Sequence, residues 1–309
     1  MNIKIFIHLM PWELDESAAT FSKIASSKQY INKNDNIYIE TCLNLSSYII
    51  NWEKSQFPKQ FFIDKYNYIS NSLYELEHKK NIYIDDKLYG HLDFQREIIE
   101  PKIDYYIGIC PDVYFHPHTL FYMIENAKNI KDEYFLISTE IPKLWDSTWD
   151  ILTNKNFKNI EYLNWNKQSI NNLIYFSENN DNLPYIEKIN QFKWAGWFEL
   201  YNKNFYEKLV PCFNTWHGYG PWDFFGIIVC GIAKKDFKID VNQYILRNQL
   251  IFDKNVGIFQ NDTNPSPYKK YLCLNDIPNQ RDEFMSKMNE YINNWIEYIK
   301  TNNSFKNSE

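Results

Sequence analysis

Apolar residues recur in short runs whose period switches between strand and helix. Ile3 to Leu9 is a largely apolar run closed by Pro11, and it predicts a first buried strand. Glu13 to Ala25 predicts a helix, and Asn36 to Cys42 a second strand of β-branched and aromatic residues. Phe57 to Leu76 carries apolar residues at helical spacing. Ile82 to Ile84 predicts a short strand, and His91 to Ile99 a helix that ends before Pro101. Asp104 to Ile109 reads as a central strand, Pro117 to Ala127 as a helix with proline in its first turn, and Tyr134 to Thr139 as another strand.

Strands alternating with helices define an α/β fold: a Rossmann-like, mainly parallel sheet with helices on both faces. Such sheets bind ligands beyond the carboxyl ends of their strands. Those ends are His8 to Glu13, Cys42 to Leu45, Cys110 to Phe115 and Glu140 to Trp145. The polar segment 143–191, with Trp145, Trp149 and Trp165 interspersed, reads as a loop-rich insertion over the sheet. Lys193 to Tyr201 predicts a strand, Lys203 to Leu209 a short helix, and Tyr219 to Lys234 a helix after a glycine-rich turn. Asp282 to Ile299 is an amphipathic closing helix, and the last ten residues read as disordered. No internal repeat or flexible linker interrupts the chain. The expectation is a single domain over 1–260 with a helical extension over 261–309.

Composition narrows the function. With 44% hydrophobic residues, the 309-residue chain is too apolar to be disordered. Its 24 Tyr, 22 Phe and 10 Trp build an aromatic core of the kind an AT-rich genome encodes, or supply stacking platforms for sugars or bases. A net charge of -6 argues against a protein that coats nucleic acid, and leaves a local basic groove open. Lys234-Lys235 and Lys269-Lys270 read as solvated charge. Cys42, Cys110, Cys212, Cys230 and Cys273 form no CxxC pair, which fits thiols in a reducing compartment rather than a disulfide framework or zinc site. No run approaches the length of a membrane span, and no signal peptide precedes the first strand. The expected location is the cytoplasm of a bacterium or of a virus-infected host cell.

Two constellations could carry chemistry. In Cys110-Pro111-Asp112-Val113-Tyr114-Phe115-His116-Pro117, a carboxylate leaves the end of a buried strand where such a sheet binds ligand. A carboxylate-held Mn²⁺ or Mg²⁺ there would neutralise a diphosphate leaving group, and a loop aspartate is the plain alternative. In Trp216-His217-Gly218-Tyr219-Gly220-Pro221-Trp222-Asp223, the glycines allow a tight turn and Pro221 can open a helix. Asp223 then sits in the first helical turn, ionised and suited to receive a proton from an acceptor hydroxyl, or serves only as a helix-start carboxylate. This Gly-x-Gly lacks a third glycine and is no dinucleotide fingerprint. His8 ends the first strand within reach of a diphosphate, and His116 and His118 flank Asp112. For these three, as for His91 and His217, a surface or core role is the alternative.

The chain resembles the GT-A class of glycosyltransferases. Gly90 to Arg96 is similar to the segment that opens the helix before the metal strand, and Asp104 to Pro117 to that strand and its Asp-x-Asp motif. Trp194 to Phe225 resembles the acceptor and catalytic region of the β-1,4-galactosyltransferase-like families. These segments span most of Met1 to Ile251. The resemblance implies Asp112 as metal ligand and Asp223 as general base. It implies His8, Pro11, Asp93, Arg96 and Cys110 around the nucleotide, and Trp194, Gly196, Trp197, Gly220 and Trp222 around sugar or acceptor. Cys110 replaces the motif's first Asp, Trp222 replaces a common Glu, and no His follows His217. The implied function is transfer from a nucleotide-diphosphate sugar to a hydroxyl, with inversion. The acceptor is a glycan or lipid-linked precursor, or a 5-hydroxymethylated base in viral DNA. A non-catalytic nucleotide-sugar or glycan-binding protein and a sugar nucleotidyltransferase are the competing classes.

Overall fold

The computed structural model describes residues 1–47, 50–86, 89–140, 183–190, 192, 198–209 and 230–253, together with helical positions 290, 293, 296, 297, 300 and 301. The strands are β1 (Asn2–Leu9), β2 (Asn36–Asn44), β3 (Glu77–Tyr83), β4 (Tyr105–Ile109), β5 (Val113–Tyr114), β6 (Tyr134–Glu140), β7 (Tyr185–Ile189), β8 (Phe198–Asn202), β9 (Val241–Leu250) and β10 (Phe252–Asp253). The helices are α1 (Leu14–Ser27), α2 (Lys59–Ser70), α3 (His91–Glu97), α4 (His118–Ala127) and α5 (Lys203–Leu209), with residues 230–236 also helical. Eight strands form one sheet in the order β3-β2-β1-β4-β8-β6-β9-β7, and β10 pairs with β5 apart from it. Within the large sheet β8 and β7 run antiparallel to their neighbours, and the other strands share one direction.

Alternation along β1 builds both faces of the sheet. Ile3, Ile5, Ile7 and Leu9 join Phe21, Ile24, Phe62, Tyr66, Leu120 and Met123 in the core under α1, α2 and α4. Phe6 points the other way and meets Phe94, Tyr106, Tyr201, Tyr206 and Cys230 under α3, α5 and helical residues 230–236. Gly108 in β4 admits this second layer, because an added Cβ would lie 2.8 Å from the Phe6 ring.

That face also buries a charged residue, Lys4, 2% exposed. Its ammonium donates to Glu40 Oε2 at 2.9 Å, to the Ile98 carbonyl at 2.9 Å and to Glu100 Oε1 at 2.5 Å. Glu40 also accepts from Lys79 at 2.6 Å and Asn81 at 3.0 Å. Burial alone would raise the Glu40 carboxyl, but the hydrogen bonds from Lys79 and Lys4 outweigh it and hold the pKa below its ordinary value.

Several elements differ from the sequence reading. β3 starts at Glu77, five residues before the predicted Ile82, because an edge strand needs no apolar face and Lys79 and Asn81 serve Glu40 instead. The helix predicted over Phe57 to Leu76 starts only after Pro58 and ends in a 3-10 turn at Asn71–Leu73. β7 falls within the segment predicted to be loop-rich. β9 was not anticipated: Asn242, Gln243, Asn248 and Gln249 break its apolar pattern yet are buried. Their partners explain this, since Gln243 donates to Ser138 at 2.5 Å and Gln249 accepts from Thr119 at 2.7 Å. The domain boundaries at 143–191 and 260/261 lie largely outside the described residues. No helix among the described residues is long and apolar enough to cross a membrane.

Truncating Lys4 leaves the buried Glu40 carboxylate and the part-exposed Glu100 short of a cation. Lys4→Ala is expected to cost roughly 3–5 kcal/mol in urea unfolding. The double variant Lys4→Met/Glu40→Gln should lose less than Lys4→Met alone.

Candidate active site

The strand order reverses at β1: the chain runs outward through β2 and β3, then returns to lay β4 on the other side of β1. A crevice opens at such a switch point beyond the carboxyl ends of the two strands. β1 delivers His8, Met10 and Pro11 there, and β4 delivers Cys110, Pro111 and Asp112. Pro11 is buried and opens a 3-10 turn, which is closed by the Met10 N–H donating to Glu13 Oε2 at 2.7 Å.

Asp112 belongs to the α1 side of the crevice. Thr20 Oγ1 donates to the Val113 carbonyl at 3.0 Å and fixes α1 against the segment after β4. In the first turn of α1, Glu16 has a buried Oε2 without a hydrogen-bond partner among the described residues. Burial, followed by the Asp15 and Asp112 charges, raises its carboxyl above the ordinary range, against a backbone hydrogen bond. Lys65, whose charge also reaches Glu16, is paired with Asp15. β10 places Asp253 in register with Val113, next to Asp112 in the chain. Sequence reading missed Glu16, which could have been found from the helix start.

The donor set suits a Mg²⁺- or Mn²⁺-diphosphate complex, in which one or two carboxylates share the ion with phosphate oxygens and water. The orphaned Glu16 oxygen beside Asp112 fits that need. Among the described residues no group of three or more His, Cys, Asp or Glu gathers as a complete metal cage.

The α3 side is different in character. Asp93 caps α3, accepting from the Gly90 N–H at 2.8 Å, and pairs with Arg96 at 3.8 Å. Both predicted nucleotide contacts thus have structural duties. Tyr89 stacks on Tyr83 at 3.9 Å and donates to Glu97 at 2.6 Å. His8 and His91 lie with ring centroids 5.6 Å apart. Burial, then the neighbouring His91 charge, lowers His8 to about 3, and burial lowers His91 to about 4. Neither ring brings positive charge to a diphosphate at neutral pH. His118 does not flank Asp112: its ring packs 3.9 Å from Tyr30, beyond the far end of α1, and His116 lies 4.7 Å from His118.

On β8, Glu199 lies in register with Gly108 and with Ser138 of β6, and accepts from Tyr201 at 2.5 Å. Its charge raises the Cys230 thiol in addition to burial. Helical residues 230–236 pack in the layer with Phe6 and lead toward β9, where Lys234 donates to Asn242 at 3.2 Å. Trp194, Gly196, Trp197, Gly220, Trp222 and Asp223 lie outside the described residues.

No protein-family model matches the sequence, and no curated protein matches it. Among solved structures, a mycobacterial protein aligns at TM-score 0.43 and 8% identity, covering 82% of this chain and 67% of the other. Residues 1–349 of S. aureus TarS align at TM-score 0.37 and 8% identity, covering 76% of this chain and 66% of that one. Glucosyl-3-phosphoglycerate synthase from Mycobacterium tuberculosis, in complex with Mg²⁺ and UDP, aligns at TM-score 0.37 and 7% identity, covering 79% and 68%. The chain thus spans about two thirds of these structures. At these TM-scores the likeness assigns no residue role, and no β-1,4-galactosyltransferase stands among the three.

The two buried histidines set an acid limit on stability. Unfolded, each titrates near 6.5, and folded only near 3 to 4, so stability is full above pH 6.5 and falls as pH drops below it. Urea unfolding between pH 6 and 4.5 is expected to show a slope of up to about 1.4 kcal/mol per pH unit for each histidine. His91→Gln should remove one such share.

Proposed function

We propose that the chain is a glycosyltransferase that moves a sugar from a nucleotide-diphosphate donor to an acceptor hydroxyl. The observation that carries this reading is the switch point between β1 and β4, where Asp112 leaves β4 near the orphaned Glu16 oxygen on α1. A diphosphate placed there would lie between the two strand ends. A divalent cation, when bound, supplies charge neutralisation for the departing diphosphate. Asp112 would hold it, with Glu16 as the nearby acid.

The remaining work falls to the chain's own residues. Asp223 is proposed as the general base, taking the proton from the acceptor hydroxyl as that oxygen attacks the anomeric carbon with inversion. Support comes from the chain path: the helical residues that follow Asp223 in sequence pack on the α3 face of the sheet and lead to the start of β9, away from the carboxyl ends. Trp194, Gly196, Trp197, Gly220 and Trp222 are proposed to line the sugar and acceptor pocket, where positioning supplies much of the rate. The net charge of -6 favours a glycan or lipid-linked acceptor over a hydroxymethylated DNA base.

The decisive measurement is turnover across a panel of nucleotide sugars and acceptors, hydroxymethylated DNA included. Asp223→Asn is expected to lower kcat by about 10²- to 10⁴-fold while leaving nucleoside diphosphate affinity unchanged. Activity near that of the wild type would remove Asp223 from the mechanism.

Asp112→Asn should weaken nucleoside diphosphate binding when Mn²⁺ is present and leave it unchanged in EDTA. An equal loss in both conditions would show that Asp112 acts without a metal.

A further inference from the structure

We propose that His8 is a neutral hydrogen-bond donor, through Nδ1–H, to a carbonyl oxygen of a nucleobase in the crevice, and that Asn44 is the positioning residue that fixes this tautomer. The identity of the ligand rests on the nucleotide-sugar reading, while the tautomer rests on geometry alone.

Asn44 is fully buried, and its amide orientation is set twice. The Ser46 N–H donates to its Oδ1 at 3.0 Å, and its Nδ2 donates to the Tyr89 carbonyl at 2.7 Å. The same Nδ2 faces His8 Nε2 at 3.3 Å. A donor facing Nε2 requires that nitrogen to be unprotonated, so the ring proton resides on Nδ1. Nδ1 has no protein partner among the described residues and is not one of the sealed polar atoms. His8 as a residue keeps 9% of its surface exposed.

The surroundings also favour a neutral ring. Tyr89, His91 and Phe94 meet His8 from the α3 side, and Cys42 is its register partner on β2. Burial raises the Cys42 thiol to about 12, so it stays protonated. Among the described residues no carboxylate hydrogen-bonds His8 to stabilise an imidazolium. A phosphate oxygen is best held by charged donors, whereas a neutral N–H in a site largely shielded from water suits an uncharged carbonyl. Position agrees with this: His8 stands on the α3 face, whereas Asp112 packs against α1 on the opposite face.

The test uses the full chain. Nitrogen-15 spectra of the imidazoles near pH 7 should show His8 as the Nδ1–H tautomer, and Asn44→Asp should move the proton to Nε2. Wild-type protein, titrated with uridine, guanosine and thymidine diphosphates, should bind at least one of them. His8→Phe should bind that nucleotide about 10-fold more weakly and pyrophosphate equally well. His8→Asn, whose amide nitrogen can occupy the Nδ1 position, should stay within about 3-fold of wild type. An Nε2–H tautomer in the wild type, or unchanged nucleotide affinity in His8→Phe, overturns the proposal. If the wild type binds none of the three, the nucleotide-sugar reading and the ligand assignment fall together, and the spectrum still decides the tautomer.

Discussion

Lys4 stands where three stretches of chain have to agree. Its ammonium joins Glu40 on β2 to the Ile98 carbonyl and Glu100 in the connection that returns the chain from α3 to β4. Glu40 in turn reaches Lys79 and Asn81 on β3. One buried charge therefore ties the outward half of the sheet to the connection by which the chain doubles back across β1. Removing two ions from water is costly, and a hydrophobic residue in place of each would often be at least as stable. What such a pair supplies is a single solution: Glu40 is satisfied only if β3 takes this register and the α3–β4 turn lies over β1. The crevice exists because of that reversal, so the ion pair at the base of the sheet and the acids at its top belong to one construction.

The fold was legible where packing follows a simple period. β1 reads as a strand because both of its faces are buried, and the return to β4 reads from Tyr105 to Ile109 for the same reason. Legibility failed where polar residues do structural work through partners distant in sequence. β3 looks like a solvated loop until Glu40 is known to need Lys79 and Asn81. β9 looks too polar for an inner strand until Gln243 finds Ser138 and Gln249 finds Thr119. A partner 105 or 130 positions away leaves no local signature.

The candidate site divides along the same line. Asp112 was legible because a carboxylate following a buried strand is a local pattern. Glu16 passed for an ordinary helix-start acid, and only its orphaned oxygen and the nearby Asp112 charge set it apart. Asp93 and Arg96 were singled out only by the resemblance, and spacing alone could not show that Asp93 would be occupied in capping α3. His118 was misplaced because closeness in sequence to Asp112 was taken for closeness in space. The chain descends beside α1 after Tyr114 and carries His118 to Tyr30.

The sheet separates two kinds of electrostatic environment at one crevice. On the α1 face the acids are crowded, with Glu16 raised by burial and by Asp15 and Asp112, so this side gains stability from any ligand that brings positive charge. On the α3 face His8 and His91 are held neutral by burial and bordered by aromatic rings, so that side favours an uncharged, flat group. A nucleoside diphosphate with a divalent cation has this polarity within one molecule: a planar base at one end and a metal-bound diphosphate at the other. A ligand carrying only one of these features would leave the other face unsatisfied. The distribution of charge across β1 and β4 would thus orient such a ligand with its base toward α3 and its metal-bound diphosphate toward α1.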